Sequence, residues 1–422
     1  MTINNEHKKL NVPNLRFPEF QGEWEKCKLG ELTTKVGSGS TPKGGNAVYT
    51  SVGHCFVRSQ NVGMGYLILD DIAHIDDDIH QKHKATELSE DDVLLNITGA
   101  SIGRTAIATK EIEGGNVNQH VCIIRANSKV SPKFLCNYIQ TKKIQNYIRS
   151  LQTGGSREGL NFEQIRSFPI SLPSIAEQNK IAQLLDKLNE RIATQNKIIE
   201  DLKKLKSAII EKVFCSPNQK NPMCRIEGFE QALSTYKMSD FSSRIATKNK
   251  DSKCSLVLTI AAQYGLVNQE SFFNKSVASE NLTGYYLLHK GEFAYNRSYS
   301  AGYDWGAVKR LDNYDEGVLS TLYICFKINE TIVDSDYLTY YFESTKWHRG
   351  LSDIAGEGAR NHGLLNVSIT DYFNTKHRFP VIEEQKAIAK MLNTITEKER
   401  KATLLGECYQ KQKQYLLRQM FI

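Results

Sequence analysis

The sequence predicts an α+β protein with two similar domains in a pseudo-two-fold arrangement, separated by two long antiparallel coiled-coil helices. Three observations support this fold class. Residues 173–214 and 380–421 align without a gap, so one segment is present twice. Both copies carry apolar residues at helical spacing, and each follows a series of strand-like segments punctuated by glycine. Solenoid repeats run to roughly 20–50 residues, so this longer period indicates that a whole domain with its helix is duplicated.

Each repeated helix has a recognisable start. Pro173 and Pro380 end extended segments, and Glu177 and Glu384 fall in the first helical turn, where the helix dipole favours an anion. The identical pairs of the two copies are Pro173/Pro380, Ile175/Ile382, Glu177/Glu384, Gln178/Gln385, Ile181/Ile388, Ala182/Ala389, Leu185/Leu392 and Phe214/Phe421.

A 3-4 spacing of apolar residues predicts that the two helices pack against each other. The first helix has Gln195 and Lys206 as polar positions within a stripe of Ile181, Leu185, Leu188, Ile192, Ile199, Leu202, Ile209 and Val213. In the second helix Glu399 and Gly406 interrupt the stripe of Ile388, Leu392, Ile395, Tyr409, Leu416 and Met420. The alternative is two unrelated surface helices, each packed on its own domain.

The regions before the helices also match, although more loosely. Residues 92–96 and 292–296 read as equivalent strands, while residues 36–90 and 243–289 barely align. A shared framework with divergent inserts is what two recognition domains with different targets would show. The predicted domains are residues 1–170 and 216–376, and the predicted helices are residues 171–215 and 377–422.

Composition narrows the class of protein. Of the 422 residues, 40% are hydrophobic and 24% charged, which is ordinary for a globular protein. No run approaches the roughly 18 apolar residues of a membrane span, and the first residues lack the apolar core of a signal peptide. Nine cysteines without a CxxC pair fit a reducing compartment, so we expect a cytoplasmic protein. The net charge of +7 permits a polyanionic partner.

No motif for chemistry stands out. An Asn/Asp-Pro-Pro-aromatic methyltransferase motif and a GxxxxGK[ST] phosphate loop are both absent from the sequence. Glu384-Gln-Lys386 has the spacing of a nuclease motif, but helix capping explains it better because its repeat counterpart lacks that spacing. His74, His80 and His83 lie beside Asp76–Asp78, where a solvated acidic loop is favoured over a metal site. We therefore expect no catalytic residues, no metal and no cofactor in this chain.

Polar, Gly-rich loops between the strands are the candidate nucleic-acid contacts, because such contacts must reach base edges or phosphates. Any one loop could be an ordinary surface turn, and matched positions in both halves carry the prediction. In the first half the candidates are Ser38, Ser40, Thr41, Lys43, Arg58, Gln60, Asn61, Thr98, Arg104 and Arg157. In the second half they are Arg244, Lys248, Lys250, Gln263, Tyr264, Arg297, Tyr299, Tyr303, Trp305, Arg360 and Asn361.

The sequence resembles the DNA-specificity subunit of type I restriction-modification systems. The resemblance covers almost the whole chain, and Pro-x-x-x-Glu-Gln at both helix starts is its most specific part. It is carried by Phe17-Pro-Glu-Phe20, Trp24, Leu29-Gly-Glu31, Leu160-Asn161, Phe168–Pro173, Glu177-Gln178, Leu365-Asn366, Phe379-Pro380 and Glu384-Gln385.

This resemblance implies two target-recognition domains, each reading one part of a split DNA sequence, with the helices fixing their separation. It also implies two methyltransferase subunits that bind S-adenosylmethionine, and motor-nuclease subunits that use ATP and Mg²⁺. One alternative remains open, a nuclease or methylase with unrecognised site residues. A coiled-coil adaptor that binds no DNA would leave the Gly/Arg loops and the divergent inserts without a function.

Overall fold

The computed structural model describes residues 10–152, 159–275, 281–298, 302–354, 360–361, 364–365 and 367–422. The chain forms two compact units. Unit 1 comprises Met1–Asn196 together with Leu404–Ile422, and unit 2 comprises Lys197–Thr403. Each unit therefore contains one α+β domain and a segment of each long helix.

Unit 1 is built on three small sheets. Its strands are β1 (Glu25–Lys28), β2 (Thr33–Ser38), β3 (His54–Val57), β4 (Ala73–Ile75), β5 (Val93–Asn96), β6 (Thr105–Ile107), β7 (Asn116–Val117), β8 (Val121–Ala126) and β9 (Pro169–Leu172). Its helices are α1 (Asp77–Lys82), α2 (Pro132–Ile139), α3 (Lys142–Ser150), α4 (Phe162–Arg166) and the first part of α5 (Ile175–Val213). The sheet orders are β2-β8-β5-β6, β4-β3-β7 and β1-β9.

The four-stranded antiparallel sheet of unit 1 separates two apolar cores. Val93 and Leu95 enter the core shared with helices α2, α3 and α5, whereas Leu94 enters a second core with Val57 and Val117. This alternation follows from the two-residue period of a strand. An apolar core therefore covers each face of the sheet.

Unit 2 repeats the same framework with different additions. Its strands are β10 (Ser234–Lys237), β11 (Ser242–Arg244), β12 (Leu258–Ala261), β13 (Gly265–Asn268), β14 (Tyr286–His289), β15 (Phe293–Asn296), β16 (Ala307–Arg310), β17 (Glu316–Leu319), β18 (Ile324–Ile328), β19 (Arg360–Asn361), β20 (Leu364–Leu365) and β21 (Lys376–Phe379). Its helices are α6 (Met238–Phe241), α7 (Gln269–Phe273), α8 (Ser335–Tyr341), α9 (His348–Ser352), α10 (Ile369–Asn374) and the first part of α11 (Ile382–Gln419).

The central sheet of unit 2 has the order β11-β18-β15-β16, which matches β2-β8-β5-β6 strand for strand. The alternation also repeats, because Phe293 and Tyr295 enter one core and Ala294 enters the other. The antiparallel pairs β1-β9 and β10-β21 also correspond, whereas unit 2 has the pairs β12-β13 and β14-β17 where unit 1 has β4-β3-β7. Most strands of the differing sheets lie within residues 36–90 and 243–289, the segments that barely align, but β7 and β17 lie outside them.

The two long helices confirm the predicted fold class. Helix α5 has 39 residues and helix α11 has 38. In unit 1 the early α5 residues Leu185 and Ile192 share a core with Leu416 and Met420 of late α11. In unit 2 late α5, through Val213, shares a core with Leu392 of early α11. Within each unit the helix segments therefore pack antiparallel.

The residues that interrupt the apolar stripes of the two long helices lie on the packed faces of those helices. In unit 2 the ammonium of Lys206 lies 3.0 Å from a carboxylate oxygen of Glu399, and both side chains are mostly buried. Gly406 is buried in the middle of an unbroken helix. Glu399 and Gly406, which interrupt the apolar pattern of the sequence, therefore occupy the packed face of α11. Among the described helices, none has a stretch long and apolar enough to cross a membrane.

Candidate nucleic-acid interface

The Glu-Gln pair at the start of helix α5 anchors that helix to the domain of unit 1. Glu177 is buried and pairs with Arg16 through two contacts, Nε to Oε1 at 2.8 Å and Nη2 to Oε2 at 2.7 Å. The pairing raises the pKa of Arg16. Gln178 accepts a hydrogen bond from the backbone N–H of Ser131 and donates to the carbonyls of Lys129 and Pro173.

Unit 2 contains the same anchor. Glu384 pairs with Arg225 at 2.8 and 2.7 Å. Gln385 accepts from the N–H of Asp334 and donates to the carbonyls of Ile332 and Pro380. These contacts give the Glu-Gln motif a structural role. The buried, paired carboxylate of Glu384 also accounts for the motif that resembled a nuclease site.

A chain of hydrogen bonds joins three loops at one end of the sheet in unit 1. The hydroxyl of Thr41 donates to the Oε1 of Gln119, and the Nε2 of Gln119 lies 3.1 Å from the Nε2 of His120. The Nδ1 of His120 lies 2.5 Å from the hydroxyl of Thr98. Two sequence-predicted residues, Thr41 and Thr98, are thus brought together by Gln119 and His120, which the sequence did not single out.

The glycine-rich loop after β2 holds the other early candidates. Ser38 ends the strand opposite Cys122, and Ser40 and Lys43 are exposed. Gly39 lies against β7, where an added Cβ would meet the carbonyl oxygen of Val117 at 1.7 Å. Only glycine allows this approach, so the loop is held close to the sheet while its side chains face outward.

Arg58, Gln60 and Asn61 converge on Asp71. Arg58 Nη2 donates to the carbonyl and, at 3.4 Å, to the carboxylate of Asp71, and its guanidinium lies 5.7 Å from the ring centroid of Tyr49. Gln60 Nε2 donates to the same carboxylate at 2.9 Å. Asn61 is 1% exposed and bonds the Arg58 N–H and the Ile68 carbonyl, so its amide supports the turn. Asp71 itself is largely exposed.

Arg104 is an exposed arginine at the end of the loop between β5 and β6. Its backbone N–H donates to the carbonyl of Ser101, and Gly103 before it has a φ of +86°. The sharp turn therefore directs the arginine away from the sheet. Arg157, another predicted contact, lies outside the described residues.

Arg244 and Lys248 of unit 2 meet at the ring of Tyr286. Arg244 Nη2 donates to the Tyr286 hydroxyl at 2.9 Å, and the Lys248 ammonium lies 3.9 Å from the ring centroid. Lys248 also donates to the carbonyl of Gly284. Lys250 is exposed two residues later. Two cations are thereby held next to each other on an aromatic support.

Gln263, Tyr264 and Tyr303 line one cleft of about 360 Å³ in unit 2. Phe272, which the sequence did not single out, completes its aromatic wall, with a ring centroid 6.3 Å from that of Tyr264. Gln263 and Tyr264 are exposed on the turn between β12 and β13. Burial raises the pKa of Tyr303, so its hydroxyl stays protonated.

The remaining candidates of unit 2 are placed differently. The guanidinium of Arg297 donates to the carbonyls of Val367 and Leu322. Trp305 packs against the core, and its carbonyl accepts from the Tyr295 hydroxyl. Tyr299 and the side chains of Arg360 and Asn361 lie outside the described residues.

The histidine-rich segment of unit 1 differs from the solvated loop that the sequence predicted. His80 lies in helix α1, is 1% exposed, and stacks on His54 with ring centroids 3.7 Å apart. Its Nδ1 lies 2.7 Å from the Oδ1 of Asn116. Within the described ranges, no three His, Cys, Asp or Glu side chains are grouped to hold a metal ion.

The comparisons with known proteins support this architecture. Residues 21–204 match the family model described as the type I restriction modification DNA specificity domain. Residues 21–204 are therefore similar to this family, and the resemblance seen in the sequence is confirmed for this segment.

Two curated relatives are named as specificity subunits of type I restriction enzymes. The MjaX subunit of Methanocaldococcus jannaschii is 23% identical over 212 residues, covering 49% of each chain. The EcoBI subunit of Escherichia coli is 27% identical over 139 residues, covering 31% of this chain and 28% of the relative. The matched segment thus spans about half the length, or less, of these relatives.

Solved structures share the fold of the whole chain. The type I restriction-modification S subunit from M. genitalium is 15% identical, with a TM-score of 0.57 over 97% of this chain and 99% of that one. A chain from a structure of complex assembly and conformational transition in a type I R-M system has 15% identity and a TM-score of 0.52, over 93% and 96%. These likenesses show the fold.

Proposed function

We propose that this chain is the non-catalytic, sequence-specific DNA-binding subunit of a type I restriction-modification complex. The observation that carries the proposal is the same four-stranded sheet order in both units, surrounded by different inserts. The match of residues 21–204 to the DNA-specificity domain supports DNA as the ligand. The cytoplasm is the proposed location.

Each unit reads one half of a bipartite target. The loops that carry Thr41, Thr98 and Arg104 serve unit 1, and those that carry Arg244, Lys248 and Gln263 serve unit 2. Arginine, glutamine and asparagine are the side chains that pair with two atoms of guanine or adenine at once. The inserts differ between the units, so the two half-sites differ in sequence.

The two long helices set the gap between the half-sites and dock two methyltransferase subunits. Their packed faces resist sliding, because a shifted helix would expose apolar side chains. Motor-nuclease subunits complete the complex. In this proposal S-adenosylmethionine, ATP and Mg²⁺ are bound by the partner subunits and serve their chemistry.

The decisive experiment combines methylation sequencing of host DNA with a domain exchange. Sequencing should show one split methylated motif. Replacing residues 30–160 with the corresponding segment of a relative should change one half of that motif and leave the other half intact. A change in both halves of the motif, or in neither half, contradicts the proposal that each unit reads one half-site.

A biochemical control addresses the alternative of an enzyme with unrecognised residues. The purified chain, supplied alone with DNA, S-adenosylmethionine, Mg²⁺ and ATP, should neither methylate nor cleave. Activity of the isolated chain would overturn the non-catalytic assignment while leaving its DNA binding intact.

A further inference from the structure

The cleft of unit 2 carries an exposed aromatic surface. Tyr264 is 68% exposed and Phe272 is 47% exposed, although both are large apolar rings. Clustered exposed rings of this kind mark interaction surfaces in soluble proteins. Ala262 also lines the cleft, and it packs against the apolar core that contains Ala294.

The rings are held in place by local backbone structure. Tyr264 donates its N–H to the carbonyl of Ala261, and Gly265 after it has a φ of +86°, which the tight turn between β12 and β13 requires. Phe272 lies in helix α7, whose start is capped by Asn268 through the N–H groups of the next turn. The backbone that carries both rings is therefore ordered by local hydrogen bonds.

The side-chain amides of Asn296 and Gln263 line the same cleft as the two aromatic rings. Asn296 accepts a hydrogen bond from the N–H of Ser298 at 2.9 Å through Oδ1, which leaves its Nδ2 as a donor toward the cleft. Gln263 is exposed at the rim and can offer both its donor and its acceptor. An amide with both groups available matches the N7 acceptor and the N6 donor of adenine.

We infer that this cleft reads an A·T base pair in the major groove of the half-site bound by unit 2. Gln263 pairs with the adenine edge, while Phe272 and Ala262 contact the C5-methyl group of thymine. That methyl is the apolar group that distinguishes thymine in the major groove. The inference rests on the proposed function and adds the base pair and the residues that recognise it.

Replacing thymine by deoxyuridine tests the inference, because only the methyl is removed. The probe is a duplex carrying the motif found by methylation sequencing, with each thymine of that half-site replaced in turn. The full-length chain, in the complex in which it is purified, should bind one such duplex about fourfold more weakly, as expected for one buried methyl.

Phe272→Ala should cause a similar loss on the thymine duplex and no further loss on the sensitive deoxyuridine duplex. Phe273→Ala is the matched control, since Phe273 is 46% exposed in the same helix but does not line the cleft. The Phe273→Ala variant should still bind the sensitive deoxyuridine duplex about fourfold more weakly than the thymine duplex. Gln263→Ala should relax discrimination at the adenine of the same base pair.

Several results would overturn the inference. They are a half-site without A·T pairs, no deoxyuridine effect at any position, or equal behaviour of Phe272→Ala and Phe273→Ala. In the last two cases the rings would serve a protein partner instead. Failure of the wild-type complex to bind the motif at all would instead contradict the proposed function.

Discussion

Arg16 and Glu177, 161 positions apart in the sequence, form a two-contact ion pair that fastens the start of helix α5 to the N-terminal segment of unit 1. The carboxylate side chain is 1% exposed. Arg225 and Glu384 repeat the pair in unit 2. A buried carboxylate is tolerated because its partner neutralises it. The pair therefore allows the first turn of helix α5 to be buried against unit 1.

The first prediction concerns this pair. Arg16→Ala leaves the buried carboxylate of Glu177 without its partner and should lower the free energy of unfolding by about 3–5 kcal/mol. Urea denaturation measures the change. Lys204→Ala breaks an exposed i,i+4 pair with Glu200 and should leave the free energy of unfolding nearly unchanged. Equal losses would show that burial of Glu177 is unimportant.

The second prediction makes Asp71 a positioning residue for Arg58 and Gln60. Asp71→Ala removes the carboxylate that holds Gln60 and one of the contacts of Arg58. It should reduce discrimination between the target and single-base variants of the first half-site about tenfold, within the range of one base contact. Competition binding measures it.

Asp70→Ala is the matched control, because it removes an exposed neighbouring carboxylate with the same change in charge. Both variants should raise affinity for unrelated DNA alike by reducing repulsion from phosphates. If Asp70→Ala relaxes discrimination as strongly, Asp71 acts through charge and not through position.

The third prediction separates two arginines. Arg104 is exposed, so Arg104→Ala should weaken DNA binding, with either a salt slope reduced by about one for a phosphate contact or relaxed specificity at one position for a base contact. Arg297→Ala removes donors from two carbonyls and should mainly lower thermal stability. Salt titrations and melting curves on both variants test this prediction. It is contradicted if Arg104→Ala mainly lowers thermal stability and Arg297→Ala mainly weakens DNA binding.

The fourth prediction concerns pH. Burial lowers the pKa of His377 to about 3, and its ring nitrogens lie 3.0 and 2.8 Å from the hydroxyls of Tyr341 and Thr375. In the unfolded chain a histidine has a pKa near 6.5. The stability that neutral His377 contributes is therefore fully present above about pH 6.5. It is lost as the pH drops toward 3, because the histidine of the unfolded state takes up a proton first.

Urea denaturation at several pH values between about 4.5 and 7.5 should show this loss, with a slope of up to about 1.4 kcal/mol per pH unit from this residue. His377→Gln should flatten the slope. His289→Gln, at an exposed histidine, should leave it unchanged. An unaltered slope in His377→Gln would assign the acid sensitivity to other groups.

The fifth prediction tests the helices as a spacer. Four residues inserted between Ile199 and Leu205 add about one turn, or roughly 6 Å. At about 3.4 Å per base pair, the complex should methylate the same half-sites with a gap longer by one or two base pairs. Four residues inserted in the connection at 217–222 should leave the gap unchanged. Retention of the original gap by the helix variant would exclude a spacer role.

The fold was predictable because it depends on short-range patterns. The 3-4 spacing identified both helices, and a gapless repeat exposed the duplication. Long-range partners were not predictable. Glu399 looked like an interruption because its partner Lys206 lies on the other helix, and Arg225 lies two residues out of register with Arg16 in the repeat.

The sequence indicated which types of side chain could form a DNA-binding site, but it did not indicate which of those side chains are already held by contacts within the protein. Asn61 has the right chemistry for base reading, yet its amide supports the turn. Asp71 and Phe272 escaped notice because an acidic residue and an isolated phenylalanine do not suggest DNA contact. Only the folded chain brings them next to Arg58 and Tyr264.

The interleaved composition of the units has a consequence for synthesis on the ribosome. Unit 2 is one continuous stretch, Lys197–Thr403, whereas unit 1 needs Leu404–Ile422. Leu416, Met420 and Phe421 form part of its core, against Phe134 and helix α5. Domains usually fold in order of translation, N-terminal first. Here the core of unit 1, whose first part is translated first, cannot be completed until Leu404–Ile422 have emerged. Part of that apolar core therefore stays uncovered while unit 2 is translated.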